Sequence, residues 1–290
     1  MRSQGRSGGG LRDTREVLTR PARRPDLTVS YGDGISHVAD VHLPPSGTSL
    51  PDEERPGYPL TLLLHGGFWR AEFGREHTAP LAEALASAGF VVCAPEYRRT
   101  GQAGGGWPGT FDDVAAAVDA LPGLIARETG GVADPRRLVL AGHSAGGQLA
   151  LWAASRHRLP AGSPWRAPTG AVRGVVALAA VTELAECYGQ ALGQQAAGAL
   201  MGGGPDEVGE RYRAADPIGL LPCGVPIRLV HGTADDRVPS AMSLDFARAA
   251  RAAGDDVTCV LLPGTGHFEV IDPLAGAWAS VLAAFRAMAR

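Results

Sequence analysis

The sequence predicts an α/β protein: a mostly parallel central sheet with helices on both faces and a small helical cap. Three observations predict it. Short, continuously apolar runs at 60–64, 91–94, 138–141, 172–179, 227–230 and 257–262 suit strands buried on both sides. Helical periodicities at 76–88, 111–128, 146–157, 240–253 and 274–289 separate most of them, and that alternation builds parallel sheets. Polar clusters then follow four of the runs directly, at the sheet end where open α/β folds bind ligands.

From the N-terminus, the first 24 residues hold seven Arg and no apolar stretch. Residues 1–25 are therefore expected to be a disordered Arg/Gly-rich tail rather than a secretion signal. Segments 27–31 and 37–43 alternate apolar and polar residues around Gly32-Asp33-Gly34. They read as a hairpin that supplies antiparallel edge strands. The Pro- and Gly-rich residues 44–59 read as a surface loop. The parallel part starts at 60. Only 183–215 interrupts the alternation, with a helix-leaning run to Met201 and then Gly202-Gly203-Gly204-Pro205. That is too short for a second domain and reads as the cap of a single domain spanning 26–290.

Composition narrows the function. Among 290 residues, 45% are hydrophobic and 20% charged, so the chain is an ordinary globular one with a sizeable core. A net charge of -3 argues against nucleic acid as a partner, and no apolar run approaches the roughly 18 residues of a membrane span. All 27 basic residues are Arg, which excludes Lys-based nucleophiles. Cys93, Cys187, Cys223 and Cys259 form no metal or redox spacing, and Cys93 and Cys259 read as buried free thiols. The expectation is a cytoplasmic protein acting on a small molecule, without metal or cofactor. Its oligomeric state is left open, a homodimer included.

Gly142-His143-Ser144-Ala145-Gly146 lies between an apolar strand and a helical pattern. A Ser hydroxyl is a poor nucleophile and must be presented to a base on a sharp turn, where small flanking residues leave room. Asp235 follows the run 227–230 and His267 follows 257–262, so base and acid converge on the edge that carries Ser144. Asp236 competes with Asp235; the spacing Asp-x-x-Val-Pro resembles the acid loop of many hydrolases, and that resemblance selects Asp235. After 60–64 comes His65-Gly66-Gly67-Phe68-Trp69, whose glycines let backbone N–H groups turn toward an oxyanion. Gly67, with Phe68 as its partner, and Ala145 are the expected donors. Phe68, Trp69 and Trp107 are candidates for the substrate wall. His65 reads as a brace for its loop, His143 and His231 as structural neighbours, and His77 carries no signal.

The order Ser, Asp, His resembles that of the α/β-hydrolase superfamily. Within it, His65-Gly-Gly-Phe-Trp69, Glu96-Tyr97-Arg98-Arg99, Trp107-Pro108, Asp112-Asp113-Val114 and His267-Phe268 resemble the kynurenine formamidase (arylformamidase) and small carboxylesterase group. Phe68 stands where hormone-sensitive-lipase-like esterases usually carry a third Gly. The resemblance implies a serine hydrolase working through an acyl-enzyme on N-formylkynurenine, another small aryl formamide, or a carboxylic ester. Acyl transfer in a biosynthetic pathway and a non-catalytic ligand-binding role are the rival expectations.

Overall fold

The computed structural model describes residues 14–48, 57–170 and 172–289. Eight strands form one sheet: β1 (Leu27–Ser30), β2 (Val38–His42), β3 (Tyr58–Leu64), β4 (Val91–Pro95), β5 (Ala133–His143), β6 (Gly174–Leu178), β7 (Ile227–Gly232) and β8 (Val257–Leu262). Their order is β1-β2-β4-β3-β5-β6-β7-β8. The expected hairpin is the antiparallel edge, since β1 pairs with β2 and β2 with β4 in antiparallel register. All other pairings are parallel, which places the ends of β3, β5, β7 and β8 on one side.

Period-two alternation divides the core. Leu60, Leu62 and Leu64 of β3 and Leu138 and Leu140 of β5 face one layer, while Leu63, Val139 and Ala141 face the other. The first layer is closed by α2 (Gly109–Glu128), α3 (Ala145–Ala154) and α7 (Ser240–Ala252), through Phe111, Trp152 and Phe246 among others. The second is closed by α1 (Ala79–Ser87) and α8 (Trp278–Met288), through Leu81, Leu85 and Phe285. Each such side chain, fully buried, contributes about 1.5–3 kcal/mol, which is why the strands read as apolar runs. The thiols are free; Cys93 is buried, but Cys259 is only partly covered, on an edge strand.

The cap consists of α4 (Leu184–Gly189), α5 (Leu192–Met201) and α6 (Gly209–Ala215). The helix-leaning run from 183 to 201 is broken at Ala191 and at Gly193–Gln195, all at positive φ. Asp216 ties the cap's ends together, its carboxylate accepting from the N–H of Leu184 at 2.9 Å and of Ala185 at 3.1 Å.

The N-terminal expectation needs correction. Residues 14–25 are ordered, with a 3-10 helix at Thr14–Leu18; residues 1–13, like 49–56 of the expected loop, lie outside the described residues. Val17 is completely buried in the layer of α1 and α8. Arg20 forms a bidentate pair with Asp272, its second contact at 2.9 Å. The N–H of Arg23 donates to Glu83 at 2.9 Å. A basic average over 25 residues hides an apolar anchor and two tethers. No helix among the described residues is long and apolar enough to cross a membrane.

Candidate active site

Ser144 occupies the single residue between β5 and α3, at φ 57 and ψ -119. A non-glycine residue there costs about 1–3 kcal/mol and persists only if its surroundings enforce it. The glycines show how tightly they do. A Cβ at Gly142 would lie 2.1 Å from the Gly146 carbonyl oxygen, and one at Gly146 would lie 2.1 Å from that of Leu64. Backbone therefore touches backbone on both sides of the turn.

Asp235 follows β7 with its side chain fully buried. Its Oδ1 accepts from the backbone N–H of Arg237 at 2.8 Å and of Val238 at 2.9 Å. Its Oδ2 accepts from His267 Nδ1 at 2.7 Å and from His231 Nε2 at 3.1 Å. Burial alone would raise this carboxyl, but the hydrogen bonds from His231 and His267 outweigh it and hold Asp235 far below the usual carboxylate range. His231 Nε2 also contacts the Val238 carbonyl at 2.9 Å, which assigns its proton to that nitrogen, while Nδ1 lies 2.7 Å from the Ser243 hydroxyl. His267 sits on the loop after β8, clamped where Glu269 accepts from the N–H of Gly266. Ser144 and His267 line one cavity without a hydrogen bond between them, a contact that in unliganded enzymes commonly tightens on binding. Asp236 points outward and pairs with Arg237 at 3.4 Å.

The loop after β3 turns on three successive positive-φ residues, Gly67 (107), Phe68 (51) and Trp69 (56). His65 braces it: Nε2 lies 2.7 Å from Glu96, the Tyr97 ring stacks on it at 4.2 Å, and the Tyr97 hydroxyl donates to the His65 carbonyl at 2.7 Å. Burial would raise the Glu96 carboxyl, but the bond to His65 and nearby Arg99 bring it down. The N–H groups of Gly67, Phe68 and Ala145 donate to no acceptor among the described residues. Free donors grouped beside a nucleophile are what an oxyanion requires.

The Ser144 cavity has a volume of about 320 Å³ and is lined by Arg15, Leu18, Gly67, Phe68, Phe73, His77, His143, Ser144, Arg237, His267 and Phe268. Of the three expected wall residues, only Phe68 is there. Trp69 is completely buried and donates its Nε1 hydrogen to Gln148 at 3.1 Å. Trp107 packs in an aromatic cluster with Phe111 at 5.3 Å and Trp165 at 4.8 Å. Trp69 is a core residue and Trp107 is partly buried against the core, because an indole gains most from packing against other apolar side chains. Further lining comes from Phe73, His77 and the N-terminal helix, to which the sequence assigned no site role, and from Phe268, which entered only through the resemblance. Burial pushes His77 down to about 3 and His143 well below the usual imidazole range, so both stay neutral. Among the described residues, no group of three or more His, Cys, Asp or Glu side chains is placed to hold a metal ion.

The profile of the BD-FAE family matches residues 48–249. The chain belongs to the BD-FAE family. Among curated relatives, a probable isoprenylcysteine alpha-carbonyl methylesterase of Oryza sativa subsp. japonica is 26% identical over 86% of the chain. Esterase LipQ of Mycobacterium tuberculosis is 28% identical over 72%. The chain spans 60% and 50% of those two proteins' own length. Among solved structures, a truncated carbohydrate esterase from gut microbiota superposes with a TM-score of 0.74 at 22% identity, over 92% of this chain and 99% of that one. Est2 of Thermogutta terrifontis with butyrate bound gives 0.65 at 19%, over 89% and 90%. These structures share the fold. This BD-FAE member thus shares the α/β-hydrolase fold of solved esterases, as the order of its strands and polar clusters implied.

Proposed function

We propose that this BD-FAE member is a serine esterase that works through an acyl-enzyme. The observation that carries the reading is the chain of contacts behind Ser144: Asp235 holds His267 Nδ1 at 2.7 Å, in the cavity that a strained turn opens to the serine. With its Nδ1–H donating a hydrogen bond to Asp235, His267 presents an unprotonated Nε2 as general base. Ser144 attacks the substrate carbonyl as His267 takes its proton, and the N–H groups of Gly67, Phe68 and Ala145 receive the oxyanion. His267 then protonates the leaving group, and water, deprotonated by the same nitrogen, releases the acid. Asp235 stays ionised and stabilises the imidazolium in both halves. No metal or cofactor enters this sequence of steps.

Small carboxylic esters are the favoured substrates, because the related proteins are named esterases and the cavity of about 320 Å³ fits a short to medium acyl group. The sequence His65-Gly-Gly-Phe-Trp69 favours a second substrate class, aryl formamides such as N-formylkynurenine. Free thiols fit a reducing, cytoplasmic setting. Ser144→Ala tests the reading. It should abolish labelling by a fluorophosphonate probe and reduce hydrolysis of 4-nitrophenyl acetate by about 10³-fold or more. Labelling or turnover close to wild type would refute the assignment. Parallel assays of 4-nitrophenyl esters and N-formylkynurenine separate the two substrate classes.

A further inference from the structure

Gly193 of the cap lies directly against the ring of Phe68, and Phe68 lines the Ser144 cavity. A Cβ at Gly193 would come 2.6 Å from Cγ and Cδ1 of that ring and 2.9 Å from Cδ2. Carbon atoms in contact settle about 3.5 Å or more apart, so even a methyl group does not fit. Cγ is where the ring joins its stem, so the whole side chain would have to turn away, not its tip alone. The backbone does not by itself call for glycine here. Gly193 has φ 56, but Ala191 (53), Gln194 (58) and Gln195 (63) occupy the same region in the same turn. What sets position 193 apart is the ring. Arg70 reinforces the contact, its guanidinium donating to the Gly193 carbonyl, so one cap residue meets the loop after β3 twice. The cap is also fastened on either side of the turn. Asp216 holds the N–H groups of Leu184 and Ala185, and the Leu200 carbonyl accepts from the N–H of Trp107 at 2.7 Å. A ring pressed from this side therefore yields before the cap does, and the Ser144 cavity is the open space beside it.

We propose that Gly193 determines specificity through Phe68: with only hydrogen at that position, the ring lies back against the cap and leaves room beside Ser144 for an apolar group of the ester. The proposal rests on the serine-esterase reading above. The apolar group has two sources, the acyl chain or the alcohol part. One methylene more or less in an apolar pocket changes discrimination about tenfold or more, so a ring displaced by a single methyl group is enough to change which esters fit. Gly193 touches no reacting atom and acts only by where it lets the ring stand.

The test compares wild type, Gly193→Ala, Phe68→Ala and the double variant on two pairs of esters. One pair is 4-nitrophenyl acetate with 4-nitrophenyl hexanoate; the other is phenyl acetate with 1-naphthyl acetate. In Gly193→Ala, the large-to-small ratio of kcat/KM should fall about tenfold or more in at least one pair. The pair that responds identifies the side of the ester that fills the space. Phe68→Ala should move the same ratio upward, and adding Gly193→Ala to it should change the ratio by less than about twofold, because no ring is left to displace. If Gly193→Ala alone does not fold, recovery of folding in the double variant still assigns the contact to Phe68, and no recovery overturns the proposal. Ratios unchanged in both pairs, or a fall of equal size with and without Phe68, would overturn it and leave the esterase reading standing. Failure of wild type to hydrolyse any of the four esters, with no fluorophosphonate label on Ser144, would refute the serine-esterase reading and this proposal with it.

Discussion

Replacing Asp235 with Asn removes a charge and reverses one hydrogen bond. Today Oδ1 accepts from two backbone N–H groups, at 2.8 and 2.9 Å, and Oδ2 accepts from two imidazoles, at 2.7 and 3.1 Å. An amide has one oxygen. Facing the backbone it keeps two bonds, and its NH2 group is set against His231 and His267; facing the imidazoles it sets the NH2 against two backbone donors. The first arrangement is the better one, because His231 keeps the Val238 carbonyl at 2.9 Å as an acceptor for its proton. His267 Nδ1 must then accept, which moves its proton to Nε2, where it blocks proton transfer from Ser144. Tautomer reversal in a Ser-His-Asp triad costs about 10⁴-fold in kcat, roughly 5 kcal/mol of transition-state stabilisation. Initial rates on 4-nitrophenyl acetate measure this, with circular dichroism to establish folding. Asp236→Asn, altering a carboxylate whose side chain is 75% exposed, should stay within about threefold of wild type. A folded Asp235→Asn variant within tenfold of wild type would refute the reasoning, and a large loss from Asp236→Asn alone would move the acid role to that neighbour.

Two further outcomes follow from close packing and buried imidazoles. Gly146→Ala puts a Cβ 2.1 Å from the Leu64 carbonyl oxygen and 2.4 Å from that of His65, so β3 and α3 must part. The expected destabilisation is about 3 kcal/mol or more, seen as a large drop in Tm, and an unchanged Tm would contradict the contact. His77 is depressed from 6.5 to about 3 by burial and by neighbouring His65. Its contribution is therefore fully present above pH 6.5 and is lost as pH falls toward 3, by about 1.4 kcal/mol per pH unit, because only the unfolded chain takes up the proton. Asp216, raised from 3.8 to about 7 by burial, acts oppositely: its contribution is present below pH 3.8 and lost as pH rises to 7. Urea denaturation between pH 4.5 and 6.5 isolates His77, since His77→Gln should lower the slope of stability against pH by about one proton; an unaltered slope would exclude the assignment.

The sheet was legible because burial on both faces makes a strand continuously apolar, and the end of each such run could be searched for chemistry. Those run ends carry the candidates Ser144, Asp235 and His267, of which the structure joins Asp235 to His267 at 2.7 Å and sets His267 and Ser144 on one cavity. The substrate wall was not legible, for two physical reasons. Adjacent aromatics in a positive-φ turn need not share an environment: Phe68 lines the cavity while Trp69 is sealed beneath it against Gln148. A helix of five residues has no detectable period, so Arg15 and Leu18 were absorbed into the composition of a basic tail. The signal was the apolar pair Val17-Leu18 inside an otherwise polar stretch, which a window of 25 residues averages away.

Backbone strain marks the same site without reference to residue type. Among the described residues, seven non-glycines have positive φ: Phe68, Trp69, Ser144, Ala179, Ala191, Gln194 and Gln195. Phe68 and Trp69 form the loop that aims the candidate oxyanion donors, and Ser144 is the candidate nucleophile. Ala179 directly follows Leu178, whose carbonyl accepts from the N–H of Ser144 at 2.8 Å. The other three flank or follow the cap turn at Gly193, where an added Cβ would come within 2.6 Å of the Phe68 ring. At about 1–3 kcal/mol each, this strain is comparable with a domain's whole net stability. A fold retains it only where packing enforces it, and here the enforcing contacts are the glycine approaches around Ser144 and the His65–Glu96–Tyr97 brace. Their removal would let the turn relax and turn its free N–H groups away from the substrate carbonyl. The geometry of the site is thus held by residues that never touch the reacting atoms, which is why the motif around Ser144 names the chemistry while the brace and the glycines make it possible.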